Sequence, residues 1–363
     1  MKNIFYLIIV ALIATSCNSG DNPDLFVLDR GVNIAHWLSQ SDARGNQRQA
    51  FFTEKDVEFI ASKGFKHIRI PIDEEQMWDE NGTRHDDAFL LMTNGIDWAI
   101  KNNLCVVIDL HILRSHHFNE GEKPLWTDPA EQQRFIDLWK DLSSALKKYP
   151  VSKVAYELMN EPVADNPEDW NTLVEKAFTV VRSLEPKRLI VIGSNRWQSV
   201  STFDVLKVPD DKNIILSFHF YEPFLLTHYH ASWTNLREYT GPVHYPGITI
   251  TGEEYAAIPD SMKPVFNIAG SVDKVFDAST IKEKIAPAIE KAKQLGLRIY
   301  CGEYGAVKES PEADRIKWHS DILSVFDELG VGSAIWNYKS SNYGLFYGKS
   351  APDEALIEVI ARK

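Results

Sequence analysis

Eight short apolar segments alternate with amphipathic helical ones along this chain, and that alternation constrains the fold more than any other feature. The segments are Gly31–Ile34, His67–Ile70, Cys105–Asp109, Lys153–Glu157, Leu189–Ile192, Ile214–Phe218, Arg298–Gly302 and Ser333–Trp336. Most are four to five residues long, apolar and β-branched, as parallel strands covered on both faces read. Between them lie helical patterns such as Glu54–Lys63, Ala130–Lys148, Trp170–Leu184, Ile281–Leu295 and Glu312–Leu329. Gly64, Pro150, Pro186, Gly296 and Gly330 break or cap a helix where the next strand must begin. The length of 363 residues suits either two average domains or one large barrel. Strand and helix alternating eight times predict the barrel: a single-domain α/β fold of the (β/α)8 TIM type.

Two connections are longer than a barrel needs. One, 112–127, follows the third strand and carries His116, His117 and Trp126; the other, 221–267, follows the sixth and is rich in Tyr, Trp, His, Pro and Gly. Loops of this length inside a domain are usually functional or disordered, and their aromatic content argues for function. Both leave C-terminal strand ends, the face where barrel active sites lie. No internal repeat, low-complexity tract or interdomain linker is evident.

The N-terminus reads separately. Lys2, the apolar run from Ile4 to Ala14 and the polar stretch Asn18–Asn22 make a secretion signal, because the run is too short to span a bilayer. Ala14-Thr15-Ser16-Cys17 resembles a bacterial lipobox, which implies cleavage before Cys17 and lipid attachment to its sulfur. The expected organisation is a signal peptide over 1–16, a polar tether over 17–26 and a catalytic domain over 27–363. The protein is then exported and lipid-anchored to the bacterial membrane, with the periplasmic and cell-surface sides both open. Cys105 and Cys301 fall in predicted buried strands and read as small core residues. With 39 basic and 51 acidic residues, a net charge of −12 and no Lys/Arg stripe, nucleic acid is excluded as a partner.

The residues at the strand ends form a polar set. Strand two ends in Arg69-Ile70-Pro71, strand three in Asp109-Leu110-His111, strand four in Asn160-Glu161-Pro162 and strand six in His219-Phe220-Tyr221. Strand seven ends in Gly302-Glu303-Tyr304-Gly305 and strand eight in Trp336. Carboxylates at the ends of two strands, in a chain with 10 Trp, 13 Tyr and 18 Phe, suggest glycosidic bond cleavage. That chemistry needs one carboxylic acid to protonate the leaving oxygen and one carboxylate to attack or to activate water. Trp37, Trp126, Trp197 and Trp233 are each either stacking platforms for sugar rings or packing residues.

Taken in order, RIP, DLH, NEP, HFY and GEYG resemble glycoside hydrolase family 5, within the larger clan of barrel glycosidases, from about Gly31 to Trp336. The resemblance implies that Glu161 is the general acid/base and Glu303 the nucleophile of a retaining mechanism, with carboxyl groups about 5–5.5 Å apart. It implies that Arg69 orients Glu303 and lowers its pKa, and that Asn160 binds the sugar 2-hydroxyl. Tyr221 would donate to Glu303, His219 and His111 would hold the acid and the glycone hydroxyls, and Trp336 would form the floor under the cleaved sugar. Glu157, by the strand period of two, is expected to point away from the chemistry or to support it. His111, His116 and His117, like His219, His228 and His230, lack paired spacing on one helix face, and two-carboxylate cleavage needs no ion. Neither metal nor cofactor is expected. The expected partner is a β-linked polysaccharide or oligosaccharide taken by a monomer, with an endo-acting β-1,4-glucanase as the leading activity. A β-mannanase or an exo-acting β-glucosidase on the same barrel stays open, because the 221–267 loop could close the cleft into a pocket. A glycan-binding protein without catalysis would lack a key group, and no Gly-x-Ser-x-Gly elbow supports an esterase or peptidase.

Overall fold

Parallel strands pair in chain order around a closed ring: β1 (Arg30–Asn33), β2 (His67–Asp73), β3 (Cys105–Ile112), β4 (Val154–Glu157), β5 (Ile190–Gly193), β6 (Ile214–Phe220), β7 (Arg298–Tyr304) and β8 (Gly332–Ile335). The seam joins β1 to β8, with Arg30 opposite Ser333 and Val32 opposite Ile335. This computed structural model describes residues 22–347 and 351–361. The predicted signal peptide, Cys17 and most of the tether lie outside the described residues. Among those described, no helix is long and apolar enough to cross a membrane.

The barrel is the one the alternation predicts. Its strands are buried almost throughout because helices cover the outer face and side chains fill the lumen. β2, β3, β6 and β7 run two to three residues further than the apolar segments that predict them, so the polar strand ends are held in the ladder and not in free loops. The long outer helices are Glu54–Ser62, Asp86–Lys101, Pro129–Leu146, Pro167–Leu184, Ala278–Leu295 and Glu312–Leu329. Pro129 and Pro167 start their helices behind Asp128 and Asn166, whose side chains accept from the first-turn amides. Gly296 and Gly330 end theirs at φ of 61° and 70°.

Two expectations are corrected. The fifth strand is not followed by a full helix: β5 leads into a tight turn at Asn195–Gln198 and a 3-10 turn at Val200–Thr202. The second long loop does not stop at 267 but continues to Asp277, where the side chain caps the next helix. Within it, short helices at Gly252–Ala256 and Lys263–Phe266 and an antiparallel pair, Gly247–Ile248 with Val275–Phe276, give it internal structure.

The lower end of the barrel is closed by the lead-in segment. Phe26 is buried among Cys105, Val107, Ala155, Leu189, Val191, Ile215, Tyr300 and Ala334. Arg298 donates to the Phe26 carbonyl oxygen at 2.9 Å and Cys105 Sγ accepts from the Val27 amide at 3.3 Å. Burying a phenyl ring in this way is worth about 1.5–3 kcal/mol. Cys105 and Cys301 are free and buried, as their strand positions predict.

Candidate active site

At the opposite end of the barrel, the strand termini surround one guanidinium. Arg69, fully buried on β2, donates to both oxygens of Glu157 at 2.7 and 3.1 Å, to Asn33 at 2.9 Å, to Asn160 at 2.8 Å and to Glu303 Oε1 at 2.8 Å. Asp109 Oδ2 lies 3.0 Å from it. Burial alone would discharge Arg69, but Asp109, Glu157 and Glu303 outweigh that cost and hold it charged. Desolvation in turn raises all three carboxyls, Asp109 to about 7, with Arg69 limiting the rise.

Glu161 follows β4 and Glu303 stands on β7. One oxygen from each, together with a ring nitrogen of His219, lie within 4.8 Å of one another. Glu303 Oε2 accepts from the Tyr221 hydroxyl at 2.9 Å, so both its oxygens are engaged. Glu161 Oε1 is 2.8 Å from His219 Nδ1. Burial holds His219 well below the ordinary histidine value, which makes that contact a neutral hydrogen bond and not an ion pair. Glu161 is raised well above the usual carboxylate range by burial first and then by the charge of Glu303. Burial raises Glu303 as well, so Arg69 does not bring it below the ordinary value as the resemblance implies; Arg69 and the Tyr221 hydroxyl only limit the rise. Two carboxyls this close share one proton, and only Glu303 has a cation and a hydroxyl donor to support its charge. The proton therefore rests on Glu161.

The remaining expected residues divide. His111 Nδ1 contacts Asp109 Oδ2 at 2.7 Å, and its ring lies parallel to Trp336, with 5.6 Å between centroids and 6° between planes. Burial pushes His111 down to about 3, so it is neutral. Its Nε2, the Asn160 Nδ2 and the His219 Nε2 have no protein partner. Trp336, Trp197 and Trp233 line a cleft of about 1020 Å³ that also holds both glutamates. Trp197 and Trp233 are 44% and 47% exposed, as platforms must be. Trp37 is not a platform: it is fully buried, donates to the Arg48 carbonyl oxygen at 3.1 Å and packs on Phe52. Trp126 is not one either. Its N–H donates to the Val163 carbonyl oxygen at 2.8 Å and its ring sits edge-on to His116 and Trp170, outside the cleft lining.

Glu157 is a supporting group that points into the barrel, bonded to Arg69; it stands four residues before Glu161, and an even separation along a strand puts both on one face and not on opposite ones. Sequence reasoning assigned no role to Asp109, although it stands two residues before His111 on the same strand face. Asn33, Gln198 and the cleft residues Phe118, His228 and Tyr343 were missed; nothing in their spacing marks them.

A closed (β/α)8 barrel carrying two facing carboxylates at its C-terminal strand ends, in an aromatic cleft, defines a barrel enzyme of glycosidic bond cleavage. The family profile described as Cellulase (glycosyl hydrolase family 5) matches residues 31–342. Endoglucanase C of Acetivibrio thermocellus is 31% identical over 344 residues, covering 92% of this chain and 98% of its own length. Cellodextrinase A of Ruminococcus flavefaciens is 28% identical over 306 residues, covering 83% of each. Cel5A of Thermotoga maritima, solved with mannotriose and with cellobiose, is 27% identical with a TM-score of 0.74, covering 94% of this chain and at least 99% of its own. The chain belongs to glycosyl hydrolase family 5, and it is a cellulase-like glycoside hydrolase.

Proposed function

We propose that the protein cleaves β-linked polysaccharide with retention of configuration, by double displacement, as an endo-β-1,4-glucanase. The observation that carries this is the Glu161–Glu303 pair, with one oxygen of each lying within 4.8 Å of the other, close enough for the short separation of a retaining pair. An inverting pair stands about 6.5–9.5 Å apart to admit water between. Glu161, protonated, gives its proton to the glycosidic oxygen as a Glu303 oxygen attacks the anomeric carbon, and the leaving chain departs with a new hydroxyl. Glu161, now ionised, takes a proton from water as that water displaces Glu303 from the glycosyl ester. The free Asn160 Nδ2 is offered to the sugar 2-hydroxyl and the free His111 Nε2 to a glycone hydroxyl, over Trp336 as the floor. Arg69 and the Tyr221 hydroxyl each hold one oxygen of Glu303, which orients the carboxylate for attack on the anomeric carbon.

The cleft volume lies at the top of the range of about 300–1,000 Å³ for small-molecule pockets, which suits several sugar residues at once. Exposed Trp197 and Trp233 extend the stacking surface beyond Trp336, which favours binding inside a chain. A β-mannanase is the second reading, supported by the mannotriose complex of Cel5A. Digestion of cello- and manno-oligosaccharides separates them: cellotetraose should yield cellobiose and other short oligomers. Glucose as the sole product would overturn endo action, faster mannan turnover would move the substrate to mannan, and binding without hydrolysis would leave a glycan-binding protein.

We also propose export and lipid anchoring through Cys17, supported by the lipobox-like Ala14-Thr15-Ser16-Cys17. On detergent phase separation the wild type should enter the detergent phase and Cys17→Ser the aqueous phase. Identical partitioning of the two would refute the anchor.

A further inference from the structure

We propose that Asn195 is a positioning residue that fixes the proton-donating Glu161 and ties its placement to a leaving-group sugar stacked on Trp197. The inference rests on the assignment of Glu161 as acid/base. Glu161 has a φ of 40°, a conformation that costs a non-glycine residue on the order of 1–3 kcal/mol and persists only where the surroundings over-determine it. Those surroundings are the next residues. The Pro162 carbonyl oxygen accepts from the Trp197 amide at 3.3 Å. The Val163 amide donates to His116 Nε2 at 3.1 Å, and its carbonyl oxygen accepts from the Trp126 indole at 2.8 Å. The Ala164 amide donates to Asn195 Oδ1 and its carbonyl oxygen accepts from Asn195 Nδ2, both at 2.9 Å.

Five successive backbone groups after the acid are thus held by side chains and one amide from the β3 and β5 loops. Asn195 alone takes two of them, in a cyclic amide pair that mimics a strand contact. It is buried, and its backbone carbonyl oxygen accepts from Thr202 Oγ1 at 2.8 Å, which anchors the stretch of chain that carries the side chain. The three residues that follow, Arg196, Trp197 and Gln198, have φ of 54°, 60° and 52°. Gln198 Nε2 donates to Glu157 Oε1 at 2.8 Å, which ties the other end of this turn to the Arg69 cluster. Trp197 is therefore presented from a turn whose one side grips the residues just after the acid, Pro162 and Ala164, and whose other side grips the charge cluster. The Trp197 indole donates to the Phe118 carbonyl oxygen at 3.1 Å and lines the same cleft as Glu161, and the proposal puts the leaving sugar on its exposed face. Stacking there and acid placement share one rigid turn.

The test compares two substrates. Cellotetraose needs a proton on its leaving oxygen, whereas 2,4-dinitrophenyl β-cellobioside has a leaving group that departs without one. kcat/KM reads the first chemical step in both. Asn195→Ala should lower kcat/KM on cellotetraose at least tenfold and on the dinitrophenyl glycoside less than threefold. Asn195→Asp, which keeps the acceptor for the Ala164 amide but loses the donor, should fall between and serves if the alanine variant does not fold. Trp197→Ala should lower the cellotetraose value, and the Asn195→Ala/Trp197→Ala pair should lose less than the product of the two single losses. Equal loss on both substrates by either Asn195 variant, or multiplicative effects in the pair, overturns the proposal. Glu161→Gln run alongside separates the failures: if it too keeps full activity on cellotetraose, the acid assignment itself falls, and if it alone loses activity, only the clamp does.

Discussion

Glu303→Gln is expected to lower kcat on cello-oligosaccharides by about 10⁴-fold or more, equivalent to about 5.5 kcal/mol of transition-state stabilisation. The amide has the volume of the carboxylate, so the cleft keeps its shape. It cannot form the glycosyl ester, and it no longer balances the Arg69 charge. Glu161→Gln should cost about 10²–10⁴-fold on the same substrates, the usual worth of general acid/base catalysis. On 2,4-dinitrophenyl β-cellobioside, whose leaving group needs no proton, azide distinguishes the two roles: Glu161→Ala should be rescued to a β-glycosyl azide, because the ester still forms, and Glu303→Ala to the α-glycosyl azide. The wild-type pH profile should follow the same pair. Activity should rise as Glu303 ionises and fall as Glu161 loses its proton, and the falling limb should stand well above the usual carboxylate range because burial and Glu303 both raise Glu161. Full activity in either glutamine variant would rule out the mechanism.

Arg69→Met should be the most destabilising single change at the site, by about 3–5 kcal/mol in denaturant titration. It leaves Asp109, Glu157 and Glu303 facing one another, dry and without their cation. Asp109 is already raised to about 7 by burial with Arg69 beside it, and without Arg69 all three carboxyls rise further. The sign follows. A carboxyl whose folded pKa exceeds its unfolded value favours the fold at low pH, and that support is lost as pH climbs through the folded value. The deficit of Arg69→Met against wild type should be smallest near pH 4 and widen toward pH 8. A constant deficit, or one that grows on acidification, would contradict the charge account. In whatever fraction folds, the rising limb of activity should move to higher pH with Glu303.

The eight strands were legible because each is a short β-branched run, and the two glutamates because each ends such a run. The tryptophans were not legible in the same way. Trp37 and Trp197 both follow a strand end closely, yet one packs on Phe52 and donates to the Arg48 carbonyl oxygen while the other stands in the cleft. What separates them is the partner awaiting each indole, contributed by residues elsewhere in the chain. The fifth helix failed for a related reason: Asn195–Gln198 is spent on a turn in left-handed backbone that grips a neighbouring loop, and no local propensity favours it. Glu157 was legible too, since its even separation of four from Glu161 puts both on one strand face, and the opposite reading miscounted the period. Asp109 was within reach, since a carboxylate two residues before a strand-terminal histidine shares its face.

The Phe26 stopper has a consequence for orientation. The lead-in chain at residue 22 leaves the barrel at the end it seals, and the cleft opens at the other. A molecule held from its N-terminal side would stand with its mouth turned outward and the full height of the barrel between substrate and attachment.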